Sequence, residues 1–132
     1  PQGAGYAQPG DVIVLANKGS MSRALCGEIM SSYAKSRGLA GIIIDGCVRD
    51  SYTLSQMDFP VYAKGVTPNG PYKNGPGEIN VPVCIGGKVV YPGDIVVGDE
   101  DGVLFIRLRM PAKLLMQPLR LKGKRQILWN IL

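Results

Sequence analysis

GLAGIIIDGCVRD, residues 38–50, is the stretch on which the fold turns. Ile42, Ile43 and Ile44 form a short β-branched run without polar alternation, the pattern of a strand covered on both faces. Asp45-Gly46 is a turn signal, so the strand is expected to stop there. Arg49 and Asp50 then follow side by side. Ligands in α/β folds bind outside the carboxyl ends of strands. An Arg-Asp pair delivered there can hold a small anion together with a metal ion.

Upstream, residues 1–10 read as loop, and Pro9-Gly10-Asp11 turns into the aliphatic strand Val12-Ile13-Val14-Leu15. The signature returns as Pro92-Gly93-Asp94 before Ile95-Val96-Val97, which we read as a recurrent turn rather than a duplication. From Ser22 to Arg37 the pattern is helical, with Leu25, Ile29 and Tyr33, and Met30 beside them, on one face. Ser22 suits an N-cap and Gly38 the C′ position. Gly27 is costly inside a helix, by about 1 kcal/mol relative to Ala. The alternative is a helix that starts at Gly27-Glu28 and offers free backbone N–H groups to a carboxylate or phosphate. Strand, helix and strand over residues 11–45 make a βαβ-like unit, expected to be parallel and right-handed.

Downstream, Ser51 to Met57 suits one or two helical turns, and Phe59 to Lys64 a short strand. Residues 68–77 carry Asn-Gly turns. Glu78 to Val83 alternates as a half-buried strand would. Val89-Val90-Tyr91, Ile95–Val97 and Val103–Ile106 complete a β-rich half, the last two joined by an acidic hairpin tip at Asp99-Glu100-Asp101. The fold class is α/β, in one domain.

Composition narrows the chemistry. The chain has 132 residues and no histidine, which excludes Ser-His and Cys-His catalysis and every His-ligated metal site. Acid–base work then falls to carboxylates, Lys, Tyr or water, and a metal site would be oxygen-rich, favouring Mg²⁺ or Mn²⁺. Cys26, Cys47 and Cys84 match neither a disulfide framework nor a zinc site and read as reduced, mostly buried residues of a cytoplasmic protein. Residues 1–101 hold eight basic and ten acidic side chains, whereas 102–132 hold seven basic and no acidic ones. The net charge of +5 therefore belongs to the tail.

Gly27-Glu28, GLAGIIIDGCVRD, GPGEINVPV (75–83) and PGDIVVGDEDGV (92–103) together resemble the RraA-like family, over roughly residues 8–106. That family includes 4-hydroxy-4-methyl-2-oxoglutarate aldolases and regulators of ribonuclease E activity, and it has been labelled demethylmenaquinone methyltransferase. The most specific element is an acidic residue, twenty residues, then Arg-Asp: here Glu28 and Arg49-Asp50. The resemblance implies an α/β/β sandwich of the swivelling-domain type, residues 1–106, with a basic, atypical extension at 107–132 and an N-terminal part of the family fold missing. It implies a homotrimer or hexamer; separately, no apolar run approaches the ~20 residues of a membrane span, so no membrane contact is expected. The implied reaction is a metal-dependent retro-aldol cleavage of 4-hydroxy-4-methyl-2-oxoglutarate or a related 4-hydroxy-2-oxo acid that releases pyruvate, with oxaloacetate decarboxylation as a related activity. Carried over by position, Asp50 would hold Mg²⁺ or Mn²⁺, and Arg49 would contact the 2-oxo acid. Gly27, Glu28, Ile29 and Met30 would line the carboxylate site, with Glu28 and Arg49 as the catalytic pair. The aldolases carry Asp where this chain has Glu28, and they use a C-terminal acid from a neighbouring subunit where this chain has none after Asp101.

Each reading has a plainer rival. Arg49-Asp50 could be an ion pair capping a strand, but the spacing to Glu28 favours a site. Glu28 alone could be a first-turn carboxylate favoured by the helix dipole. Asp45 and Glu78 are read as structural, and Tyr72 and Lys73 as solvent-exposed. Asp99, Glu100 and Asp101 are most simply a solvated tip. Lys122, Lys124 and Arg125 near Trp129 suggest nucleic acid, against which we favour an extension that packs on the body or another subunit. The abrupt loss of acids after residue 106 also permits a change of reading frame. The function expected is a metal-dependent aldolase. The alternative is a non-catalytic regulator that binds a ribonuclease. A methyltransferase is disfavoured, because Ala16 to Ser20 holds a single glycine.

Overall fold

The structure is a computed structural model that describes residues 6–107 and the backbone of Gln126–Leu128. Its organising element is β3 (Gly41–Val48), in which every residue is buried. Three parallel strands pair with it. β1 (Val12–Ala16) runs along one edge, from Val12 opposite Gly41 to Ala16 opposite Asp45. β2 (Ala24–Cys26) takes up the same edge further on, beside Cys47 and Val48. β4 (Val61–Val66) lies along the other edge, from Ile42 to Val48. The connections carry α1 (Glu28–Ser36) and α2 (Ser51–Gln56). A parallel sheet needs such crossovers, and covering both of its faces explains the unbroken apolar run.

The pleat sorts side chains into two cores. Ile42, Ile44 and Ile13 face the helices and pack with Ala34, Leu39, Leu54 and Phe59. Ile43, Val12 and Val14 face the other way, onto Val90 and Val96. Those last two belong to β6 (Lys88–Val90), which forms a hairpin with β5 (Val83–Ile85), and to β7 (Ile95–Asp99). β7 pairs antiparallel with β8 (Gly102–Ile106) and with β9 (Gln126–Leu128). Helices, parallel sheet and antiparallel strands thus stack as the α/β/β sandwich expected. Each fully buried Ile or Val there contributes about 1.5–3 kcal/mol.

The two Pro-Gly-Asp turns are built alike. Gly10 and Gly93 both take φ +90°, a conformation that favours glycine. Asp11 Oδ2 accepts the Gln8 N–H at 2.8 Å, and Asp94 Oδ2 accepts the Tyr91 N–H at 2.9 Å. The Asp11 N–H donates back to the Gln8 carbonyl, and the Asp94 N–H to that of Tyr91. Both aspartates are buried with their carboxylates hydrogen-bonded.

Several expectations are corrected. β3 does not stop at Asp45-Gly46 but continues to Val48. The Asp45 carboxylate pairs with Lys64 at 3.4 Å, and Ser20 packs its carbonyl against Gly46. Residues 22–37 are not one helix: residues 24–26 form β2, and α1 begins after the N-cap Gly27. The face read as one stripe divides: Leu25 and Met30 pack against the core, whereas Ile29 and Tyr33 are exposed. α1 packs through Ser31 and Ala34, while Ile29 is 82% and Tyr33 48% exposed. Residues 78–82 are not strand, and pairing starts at Val83. Lys122, Lys124, Arg125 and Trp129 lie outside the described residues. Of the free cysteines, Cys26 and Cys47 are buried and Cys84 is exposed. No helix of the described residues is long and apolar enough to cross a membrane.

Candidate functional site

The carboxyl ends of β2 and β3 lie side by side, and two loops follow from them. β2 leads through Gly27 into α1. β3 leads through Arg49 and Asp50 into α2. The Arg49 N–H donates to the Cys26 carbonyl at 2.9 Å, which ties the two loops together.

Asp50 is held in the left-handed region, at φ 57° and ψ 39°. Its Oδ2 accepts the backbone N–H of Glu28 at 3.0 Å, so it caps a helix from a different element. α1 has no side-chain cap of its own. The approach is close: a Cβ at position 27 would lie 2.5 Å from Asp50 Oδ2, so a larger residue there would push the capping carboxylate aside. Arg49 Nε lies 3.4 Å from Asp50 Oδ1. The Arg49 side chain is 47% exposed, leaving its guanidinium available to an anion.

Around this corner opens a cleft of about 340 Å³ lined by Ala24, Leu25, Cys26, Gly27, Ile29, Met30, Tyr33, Arg49, Asp50 and Pro71. One end carries the Arg-Asp pair and the N-terminus of α1. The wall is apolar. Burial pushes the Cys26 thiol above its ordinary pKa of 9.0, and the Asp50 charge adds to the rise, against hydrogen bonds to Ser31 and the Gly27 carbonyl.

Gly27, Ile29, Met30, Arg49 and Asp50, all named from sequence, meet on this cleft. Glu28 reaches the site through its backbone N–H, and its side chain is exposed. Asp45 and Glu78 lie elsewhere, Asp45 buried against Lys64 and Glu78 exposed. Cys26, Tyr33 and Pro71 were not anticipated. Tyr33 was visible as an apolar helix residue, but its direction depended on which face α1 buries. Pro71 comes from a loop that only the tertiary fold brings over β2.

Asp50 is the one carboxylate lining the cleft, and no three His, Cys, Asp or Glu side chains come together to hold a metal among the described residues. That donor set fits Mg²⁺, which keeps several waters and accepts one or two carboxylates beside substrate oxygens. It does not fit Zn²⁺, which takes three or four protein ligands.

Comparison with known proteins places these features in context. A sequence model of the RraA-like family, described as Aldolase/RraA, matches residues 4–105. A Halalkalibacterium halodurans protein provisionally named 4-hydroxy-4-methyl-2-oxoglutarate aldolase is 44% identical over 100 residues, 76% of this chain and 48% of its own. A Geobacillus kaustophilus structure described as S-adenosylmethionine:2-dimethylmenaquinone methyltransferase superposes with a TM-score of 0.76 at 39% identity, covering 80% of this chain and 65% of that one. The RNA-processing inhibitor RraA of Thermus thermophilus gives 0.71 at 34% identity, covering 75% and 60%. The chain spans about half the length of the curated relatives it matches.

Proposed function

Because the chain belongs to the RraA-like family, we propose that its cleft cleaves a 4-hydroxy-2-oxo acid by a divalent-metal-dependent retro-aldol reaction that releases pyruvate. The observation that carries the reading is the corner where Arg49, Asp50 and the first turn of α1 converge. The aldolase name of the Halalkalibacterium relative supports it.

In this reading the carboxylate of the 2-oxo acid lies against the Arg49 guanidinium, whose planar fork suits it. The first-turn N–H groups of Ile29 and Met30 have no acceptor within the helix and would add to that anion site. Asp50 would hold the cation, which supplies positive charge beside the 2-oxo oxygen. The C4 hydroxyl would pass its proton through a water to the exposed Glu28 carboxylate. The C3–C4 bond breaks, C4 becomes a carbonyl, and the electron pair leaves C3 as the pyruvate enolate. Arg49 stabilises that charge as it develops. Return of that proton through the water to C3 gives pyruvate. Oxaloacetate decarboxylation passes through the same enolate with carbon dioxide as the departing fragment. Assembly into a homotrimer, with a neighbour covering Ile29 and Tyr33, and residence in the cytoplasm belong to the same proposal.

The test is pyruvate release from 4-hydroxy-4-methyl-2-oxoglutarate and from oxaloacetate, with Mg²⁺ and with a chelator. Activity should appear with metal, vanish on chelation, and fall by about 10²-fold or more in Arg49→Ala, the scale of losing one charge-stabilising donor. A folded protein inactive at saturating Mg²⁺ and Mn²⁺ would sink the enzyme. The likeness to the Thermus RNA-processing inhibitor would then favour a regulator that contacts a ribonuclease through the exposed apolar residues around the cleft.

A further inference from the structure

Beside the cleft, a strap formed by residues 67–72 crosses β2. Its first half is fixed through backbone and Asn69. The Thr67 N–H donates to the Val48 carbonyl at 3.0 Å, and the Ala24 N–H donates to the Asn69 carbonyl at 2.9 Å. Asn69 Nδ2 donates to the Ser22 carbonyl at 3.1 Å. Its second half is held differently, by one side chain. Arg23 Nη1 donates to the Gly70 carbonyl at 2.9 Å, and Nη2 reaches the Tyr72 hydroxyl at 3.1 Å. The guanidinium carbon also lies 3.9 Å from the centre of the Tyr72 ring. Tyr72 is 78% exposed, so its place on the surface depends on this contact.

Gly70, whose carbonyl Arg23 grips, faces Arg49. A Cβ at Gly70 would sit 3.5 Å from Arg49 Nη1, so only the room of that absent side chain separates the strap from the guanidinium. The next residue, Pro71, lines the cleft. Arg49 is therefore bounded by Asp50 at Nε and by the strap at Nη1.

We propose that Arg23 is a positioning residue: it locks the 67–72 strap, and the locked strap holds the Arg49 guanidinium in the orientation that receives a planar carboxylate. Both terminal nitrogens of Arg23 are engaged, so it orders the site without binding the ligand itself. The role needs a planar guanidinium that donates to the Gly70 carbonyl while stacking on the Tyr72 ring. A lysine, a point charge on a flexible stem, does not replace it. The ligand half of the proposal rests on the reading of the cleft as a 2-oxo acid site, whereas the ordering of Arg49 does not.

The experiment compares wild type, Arg23→Ala, Arg23→Lys and Tyr72→Phe. The ligand-free readout is the Nε–H resonance of Arg49 in ¹⁵N NMR, assigned by its loss in Arg49→Lys. It should be resolved in wild type and in Tyr72→Phe, which keeps the ring, and shifted or broadened in both Arg23 variants. The ligand readout is calorimetric binding of oxalate, a planar mimic of the enolate, with Mg²⁺ present. Its affinity should fall about tenfold or more in both Arg23 variants, a loss of the size that misplacing a binding group by less than 1 Å produces. Unfolding midpoints identify any variant that has lost its fold, and Arg23→Lys serves if Arg23→Ala does not fold. An unchanged Arg49 resonance in a folded Arg23 variant overturns the proposal. So does full rescue by Arg23→Lys, which would reduce Arg23 to a surface charge. Failure of wild type to bind oxalate would instead count against the 2-oxo acid reading, and the Arg49 resonance would still decide the clamp.

Discussion

Asp50 occupies a left-handed backbone position that costs an ordinary L-residue about 1–2 kcal/mol. Its carboxylate meanwhile caps α1. Asparagine satisfies both demands and alanine neither. Asp50→Asn should keep stability within about 1 kcal/mol of wild type, since Asn and Asp cap comparably. Asp50→Ala should lose about 2 kcal/mol, from a lost cap and a strained backbone together. Urea unfolding measures both. Pyruvate release should disappear in both, because neither offers a carboxylate to a cation. Equal destabilisation by the two substitutions would show that the bond to Glu28 does no capping. The Arg-Asp pair was legible in the sequence because both residues are adjacent and spaced from Glu28. The cap was not legible, because a hydrogen bond across twenty-two positions leaves no local pattern.

β3 shows where element-level reading succeeds and fails. Ile42 to Ile44 announced a strand buried on both faces, and the two cores on either side of it bear that out. Its end was misread, since Asp45-Gly46 is a turn in most contexts. Here Lys64 on β4 neutralises Asp45, and the 17–23 loop presses on Gly46, so the strand continues. α1 was misread for a related reason. Helical periodicity identified an apolar stripe, but the helix approaches the sheet through its smallest residues, Ser31 and Ala34. Ile29 and Tyr33 are left to line the cleft, and Met30 touches both cleft and core. Ile42→Ala should cost about 3 kcal/mol, within the range for a large side chain removed from a packed core. Ile29→Ala should cost less than about 0.5 kcal/mol in the monomer, as a substitution away from packed features does. Denaturant titration of both variants below the concentration of any assembly checks the pair. A larger penalty at Ile29 would mean that the stripe faces a core after all.

At the scale of the molecule, two sheets meet through Tyr62 of β4. Its hydroxyl lies so close to Gly98 of β7 that a Cβ there would be 2.6 Å away. Burial raises its pKa above the ordinary 10.0, and the Asp99 charge raises it further. The folded chain thus keeps this proton to higher pH than the unfolded chain does. The associated stability is fully present below pH 10 and is lost as pH rises through the folded value. Tyr62→Phe removes the ionisation, so stability above pH 10 should fall less steeply than in wild type. Thermal unfolding at several alkaline pH values reads this directly, and identical slopes would remove Tyr62 from the account.

The strand order also fixes what a ribosome presents. β3 and all its partners are encoded by residues 12–66, so the first sheet and both helices can assemble while the rest is still being made. Val12, Val14 and Ile43 find their cover only when Val90 and Val96 emerge. For that interval, a few seconds at roughly 5–20 residues per second, the nascent chain carries an open aliphatic face. A transcript that stalls or ends between β4 and β6 leaves a product that is sticky, not merely short.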